Sequence, residues 1–363
     1  MRASKLYKYT QPYVERYQRA AMCGLVLAVV ANVLMLTCIS PSFLLHNHFS
    51  SKEYLTDTAY VGHVVAKDYV KESPDILFLG GSSMRDALPP RDGGAAAFTQ
   101  VCKVDVTMFA AATSSQHPTD GWAIIDALPE KSPRTIVVGL TYGRLMLQSA
   151  LEPYDLSKQT VELPRSSTVF WDGVRRGNLS DGILDFFSQL RRLRWSIESI
   201  GQRLKGKSIP NGVSRDVHDR TSLPDSTIPI PEKQYLVEKM YAMWDDDYAK
   251  NARNMGKYWA QFANRMKARG SQVIFIWTPI SDETEPLTRS YETETRAVMS
   301  TLAAAAPTLD LRKLPESSPD DFRDPLHVTI QGRSKTWPIM KRFIAAHGGC
   351  ATGRNRKSEL GNS

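Results

Sequence analysis

The chain has 363 residues, 42% of them hydrophobic and 23% charged, a composition that excludes a low-complexity or wholly disordered protein and allows one large domain or two small ones. The formal net charge of +8 is local: residues 1–20 carry +4, 175–207 carry +5 and 351–363 carry +2, which sum to +11 and leave −3 on everything else. A basic nucleic-acid-binding surface is therefore excluded, and the body of the protein is slightly acidic.

Residues 20–39 contain no charged side chain and are rich in Leu, Val, Ala and Met. Twenty such residues suffice to span a bilayer core of roughly 30 Å. Arg2, Lys5, Lys8, Arg16 and Arg19 precede the run, whereas 40–55 hold only Lys52 and Glu53. The positive-inside rule then predicts a cytoplasmic basic segment at 1–19, a transmembrane anchor at 20–45 and a linker at 46–72, with the rest outside the cytoplasm. A cleaved signal peptide is the rival, although the run is long for one and lacks a clear A-x-A site. Cys23 and Cys38 fall in the span. Cys102 and Cys350 would meet an oxidising space where they could pair, which their spacing alone does not decide. No Cys/His spacing suggests a metal site, and no cofactor motif is present.

The stretch 75–86 reads DILFLGGSSMRD. Ile76–Leu79 is a short apolar run between Pro74 and a Gly pair, as expected of a strand buried on both faces of a parallel sheet. Strand, Gly turn and serine at a helix start would place a hydroxyl at the carboxyl edge of a sheet, where open α/β folds keep their sites. A plainer reading stands beside it, because Ser83 with Asp86 resembles a capping box.

Further strands are predicted at 104–109 (VDVTMF), 135–140 (TIVVGL), 273–277 (VIFIW) and 308–311, and helices at 118–128, 248–269, 288–304 and 337–346. This alternation predicts an α/β fold, a parallel sheet with helices on both faces. Residues 150–240 interrupt it as a mainly helical insertion. Within it, Phe186, Phe187, Leu190, Leu193, Ile197, Ile200 and Leu204 recur at helical spacing among arginines. They form either an ordinary packed helix with a solvated basic face or a surface for anionic lipid or polymer. Residues 208–234 read as loop and 348–363 as a disordered tail.

Strand-GGSS near the start of the domain and DPLHVTIQG near its end resemble the SGNH/GDSL family of serine esterases and acyltransferases, over about residues 73–347. The resemblance implies a three-layer, flavodoxin-like sheet. It aligns the family's G-D-S motif with Gly81-Ser82-Ser83, making Ser83 the nucleophile and putting Ser82 in the place of Asp. It aligns D-x-x-H with Asp324 and His327, the residues that would orient the imidazole and take the serine proton. The family's remaining oxyanion and substrate contacts fall at Ser82, near Ala111 or Ala112, and at Thr141 or Tyr142, where the loop has no Asn. His63, His117 and His218 have no comparable partners.

The resemblance further implies acyl-ester chemistry, by hydrolysis or transfer, on an exported or cell-surface polysaccharide at a bacterial inner membrane, with the C-terminal domain periplasmic or extracytoplasmic. Its partners would be the acylated polymer, membrane lipid through the anchor and the basic insertion, and a membrane acyltransferase. The alternative is a non-catalytic, degenerate SGNH domain that binds polymer or scaffolds such an acyltransferase. The expected topology is directly testable. A reporter fused after Ser363 should be active only if it works outside the cytoplasm, and carbonate washing should leave the protein in the membrane fraction. A soluble, shortened product would show cleavage instead.

Overall fold

The computed structural model describes residues 17–30, 74–89, 91–113, 116, 118–127, 132–145, 227–242 and 248–350. A first helix, α1, covers 17–30. Among the described residues no helix is long and apolar enough to cross a membrane, and the expected span is described only as far as Val30. The linker, most of the insertion including 183–204, and the tail beyond Cys350 lie outside the described residues.

Five parallel strands form one sheet in the order β2-β1-β3-β4-β5. They are β1 (Ile76–Leu79), β2 (Met108–Ala110), β3 (Thr135–Leu140), β4 (Gln272–Trp277) and β5 (Thr308–Asp310). This is the doubly wound order, in which winding reverses between β1 and β3 and opens a crevice at their carboxyl ends. The side chains of each strand alternate between two cores. Leu77, Leu79, Ile136, Val138, Phe275 and Trp277 pack with residues of α4 (Pro118–Ala127), α6 (Tyr248–Ala268) and α8 (Glu292–Ala305). Ile76, Phe78, Val137, Ile274 and Ile276 pack with residues of α2 (Ser82–Ala87), α3 (Arg91–Cys102) and α9 (Ile330–Ile344). The fold is thus a sheet between two helical layers.

The longest helix among the described residues shows why the alternation is legible. On α6 the residues Tyr248, Ala252, Met255, Trp259, Phe262 and Met266 are all buried, and their steps of four and three trace a single helical stripe.

Three departures from the sequence reading have local causes. The second strand begins at Met108, not 104, because Asp75 takes over the pairing there with its side chain. Its Oδ2 accepts from the Thr107 N–H at 2.8 Å and the Thr107 hydroxyl at 2.9 Å. Helix α3 carries no sequence signal because Gly93-Gly94 reads as a breaker. Gly94 is instead a contact point, where an added Cβ would meet Met108 Sδ. Helix α9 starts seven residues before the predicted 337, with Thr329 as its N-cap accepting from the Gly332 N–H at 3.2 Å, and it carries Pro338 in its interior.

The expected loop at 208–234 also ends in structure. Helix α5 (Ile230–Ala242) starts inside it. It is tied down by a buried Lys233 whose Nζ donates to Pro319 O at 2.7 Å. Between β4 and α8 lie a short helix α7 (Glu285–Thr288) and two 3-10 turns.

Cys102 and Cys350 form a disulfide across 248 residues of sequence, with Cα atoms 4.9 Å apart. Residues 348–350, expected in the tail, are therefore fixed. Gly348 O accepts from the Thr135 hydroxyl at 3.1 Å, at the first residue of β3. The crosslink thus closes the amino edge of the sheet, opposite the β1–β3 crevice. Replacing both cysteines by Ser should lower stability by about 2–5 kcal/mol. Thermal unfolding with and without reductant checks this: reductant should lower the Tm of the wild-type protein and leave that of the double variant unmoved.

Candidate functional site

The site is built where β1 ends. The chain turns at Gly80, and Gly81 is the N-cap of α2, with no side-chain hydrogen bond at the cap. Helix α2 lies directly on the sheet. A Cβ at Gly80 would stand 2.7 Å from Met84 Cβ, and one at Gly139 in β3 would stand 2.6 Å from it. Any side chain at either position would push α2 outward. Ser83 sits inside the helix and is 6% exposed, so the capping-box reading of Ser83 with Asp86 fails.

The structure brings Ser82, His327 and Asp324 together. His327 Nε2 lies 2.7 Å from Ser82 Oγ, while its Nδ1 lies 2.7 Å from Asp324 Oδ1 and 2.9 Å from Oδ2. Ser82 and not Ser83 faces the histidine, which corrects the sequence alignment by one residue. The cause is the helix start. Successive helical residues point about 100° apart, so with α2 beginning at Ser82 the first hydroxyl faces out to His327 and the second faces into the protein. Two adjacent serines cannot both reach the imidazole.

Asp324 and His327 end and begin two short antiparallel strands, β6 (Phe322–Asp324) and β7 (His327–Val328), joined by Pro325-Leu326. Asp324 Oδ1 accepts the backbone N–H groups of Leu326 at 3.0 Å and His327 at 3.1 Å. Burial works against ionisation of this carboxyl. The His327 hydrogen bond and charge, the Leu326 N–H and the Arg323 charge outweigh it and hold the pKa below the usual carboxylate range. An ionised Asp324 keeps the ring proton on Nδ1 and leaves Nε2 to accept from the Ser82 hydroxyl. That is the arrangement of a nucleophile, a general base and the group that orients the base.

Behind the serine, Gln116 is a residue the sequence reading missed. It is buried; its Oε1 accepts from the Gly80 N–H at 2.8 Å and its Nε2 donates to Ala111 O at 2.6 Å. It thereby clamps the turn before α2 to the loop after β2. A lone Gln beside a small-residue loop carries no sequence signal for that role.

The same loop holds Ala112. The flanking N–H groups of Ala111 and Thr113 donate to Phe78 O and Gly80 O at 2.8 and 3.0 Å. Among the described residues none accepts from the N–H groups of Ala112 or Ser82. Thr141 follows the last residue of β3. Its carbonyl and hydroxyl accept the Arg144 N–H at 3.1 and 3.4 Å, capping the 3-10 turn Tyr142–Leu145. Arg144 from that turn is buried with its guanidinium 5.4 Å over the Trp259 ring. Burial lowers its pKa to about 10 against the opposing pull of Asp120.

His63, His117 and His218 lie outside the described residues. Among the described residues no group of three or more His, Cys, Asp or Glu side chains could hold a metal ion. No family model matches the chain, and no curated protein shows significant similarity to it.

The clamp can be tested without any assumption about chemistry. Gln116→Ala strands the Gly80 N–H and the Ala111 carbonyl in the interior, so stability should fall by about 1–3 kcal/mol. Denaturant unfolding measures it, and an unchanged midpoint would show that water replaces the side chain.

Proposed function

We propose that the chain is an SGNH-type serine esterase or O-acyltransferase, anchored in a bacterial inner membrane and acting outside the cytoplasm on acyl esters of an exported or cell-surface polysaccharide. The observation that carries this reading is the Ser82–His327–Asp324 series at the carboxyl edge of the sheet. Its members sit on two segments 245 residues apart in sequence. With the serine at 82, the family's G-D-S motif falls on Gly80-Gly81-Ser82, and Gly81 stands where the family has Asp.

The chemistry follows from the geometry. His327 Nε2 takes the Ser82 proton as Oγ attacks the acyl carbonyl carbon, and Asp324 stabilises the imidazolium that forms. The N–H groups of Ser82 and Ala112 are the donors available to the tetrahedral oxyanion. Collapse breaks the ester bond, and the departing alcohol takes the proton from His327. The acyl-serine is then resolved by water, giving hydrolysis, or by a sugar hydroxyl, giving transfer.

The location is supported by two features. The Cys102–Cys350 disulfide suits an oxidising compartment. In α1, Met22, Leu25, Val26 and Leu27 are all exposed, as a helix immersed in lipid would present them.

The two serines separate the reading from its rivals. Ser82→Ala should abolish aryl acetate hydrolysis, by roughly 10³-fold or more, and should remove labelling by a serine-directed phosphonate. Ser83→Ala should keep both. Labelling that survives Ser82→Ala would overturn the assignment. An unlabelled, inactive wild-type protein would favour the non-catalytic scaffold.

A further inference from the structure

Two Arg-Asp dipeptides face each other beside the triad. Arg85-Asp86 lies on α2, with Asp86 four residues after Ser82 and so on the same helical face. Arg323-Asp324 lies on β6. Arg85 Nε donates to Asp86 Oδ1 at 2.9 Å, Arg323 Nη2 to Asp86 Oδ2 at 3.5 Å, and Arg323 Nε to Asp324 Oδ2 at 3.4 Å. The Asp86 side chain is 1% exposed, and that of Arg323 is 27% exposed.

Cation and anion therefore alternate from Arg85 through Asp86, Arg323 and Asp324 to His327, which returns to α2 at Ser82. A buried carboxylate needs such partners, yet Arg85 alone, its chain neighbour, could have supplied one. The contact with Arg323 is the one that crosses between the two halves of the site.

We infer that Asp86 and Arg323 are positioning residues of this site: Asp86 holds Arg323 against Asp324, joining the helix that carries Ser82 to the turn that carries Asp324 and His327 by a second, ionic strap. The inference rests on the serine-hydrolase reading of Ser82. The strap fixes the distance over which His327 must reach the serine. It also places one positive and one negative charge beside the imidazole, and these act on it in opposite senses.

Other charged groups stand on the elements packed around the turn. Arg333 on α9 donates to Leu88 O at 3.3 Å, and Lys335 pairs with Asp321 at 2.7 Å. Lys233 on α5 is bonded to Pro319 O, with Glu232 beside it. Asp320 precedes Asp321. Asp282 and Glu283 follow Ser281, whose N–H donates to Pro325 O at 3.0 Å. Among the charged side chains of the described residues, only His327 and Arg323 have hydrogen bonds to the Asp324 carboxylate. Arg333 also lies within reach of the Asp86 charge, so the opposite shifts of the two variants together, and not either one alone, report the strap.

The test is the titration of the His327 ring in the full-length protein, followed by NMR with isotope-labelled histidine and assigned with His327→Ala. Asp86→Asn removes a negative charge and should lower the midpoint by about half a pH unit. Arg323→Gln removes a positive charge and should raise it by about as much, while Arg323→Lys should stay near wild type. In aryl ester hydrolysis the acid limb of kcat/KM should move the same way in each variant. The double variant Asp86→Asn/Arg323→Gln should lose little more rate than either single one. Midpoints that stay fixed in both variants, or move in the same direction, would overturn the strap. If Asp86→Asn fails to fold, the contrast between Arg323→Gln and Arg323→Lys decides. An inactive wild-type protein would overturn the esterase reading, and the titration would still decide the strap.

Discussion

Helix α2 can lie on the sheet only because two glycines leave room for Met84. Gly80 ends the first strand and Gly139 sits in the third, and an added Cβ at either would come within 2.7 Å of Met84 Cβ. Real Cβ atoms do not approach so closely, so the helix would have to rise, and Ser82 would rise with it. The Ser82–His327 distance of 2.7 Å depends on that seat. The same seat decides which serine is presented, since it fixes both where α2 starts and how it is rotated. A packing constraint at two positions without side chains thus sets which hydroxyl faces His327.

The two edges of the sheet are held by different means. At the amino edge a covalent link, Cys102–Cys350, ties α3 to the end of the last helix, and Thr135 bonds Gly348 beside it. At the carboxyl edge, where the site lies, the contacts are hydrogen bonds and ion pairs: Gln116 to Gly80, Arg323 to Asp86, and Asp324 to its own turn. The proposed site would admit substrate, and it gains from contacts that can shift by tenths of an ångström. A distant edge has no such need.

Much of this was written in local sequence. Strands β1, β3 and β4 are runs of buried apolar residues, and α6 is a clean stripe, so period and hydrophobicity sufficed. Asp324 and His327 were legible through the resemblance to a D-x-x-H motif, whose three-residue spacing lets both groups sit on one turn. The register of the serine was not, because Gly-Gly-Ser-Ser can be parsed with either hydroxyl last, and only the seat of α2 chooses. Helix α3 was hidden by Gly93-Gly94, of which Gly94 lies against Met108, and the start of α9 by Pro338, which reads as a helix start and lies inside one. Gln116, Asp86 and Arg323 act across long sequence separations, and one sequence holds no trace of which distant residues will meet.

Asp324 shows how closely the site and its local fold are coupled. Its carboxylate accepts two backbone N–H groups of its own turn as well as the imidazole, so one charge both shapes the β6–β7 connection and orients the imidazole. Its native pKa lies below the ordinary value, with burial opposing the shift and His327, Leu326 and Arg323 producing it. The stabilisation it supplies is therefore complete above the unfolded carboxylate pKa of about 3.9 and fades as pH falls through the lower native value. Over that acid window the turn loses its internal acceptor and the imidazolium loses its ionic partner. One carboxylate thus holds both the local order of the turn and the placing of His327 beside Ser82, and both weaken as its charge is lost.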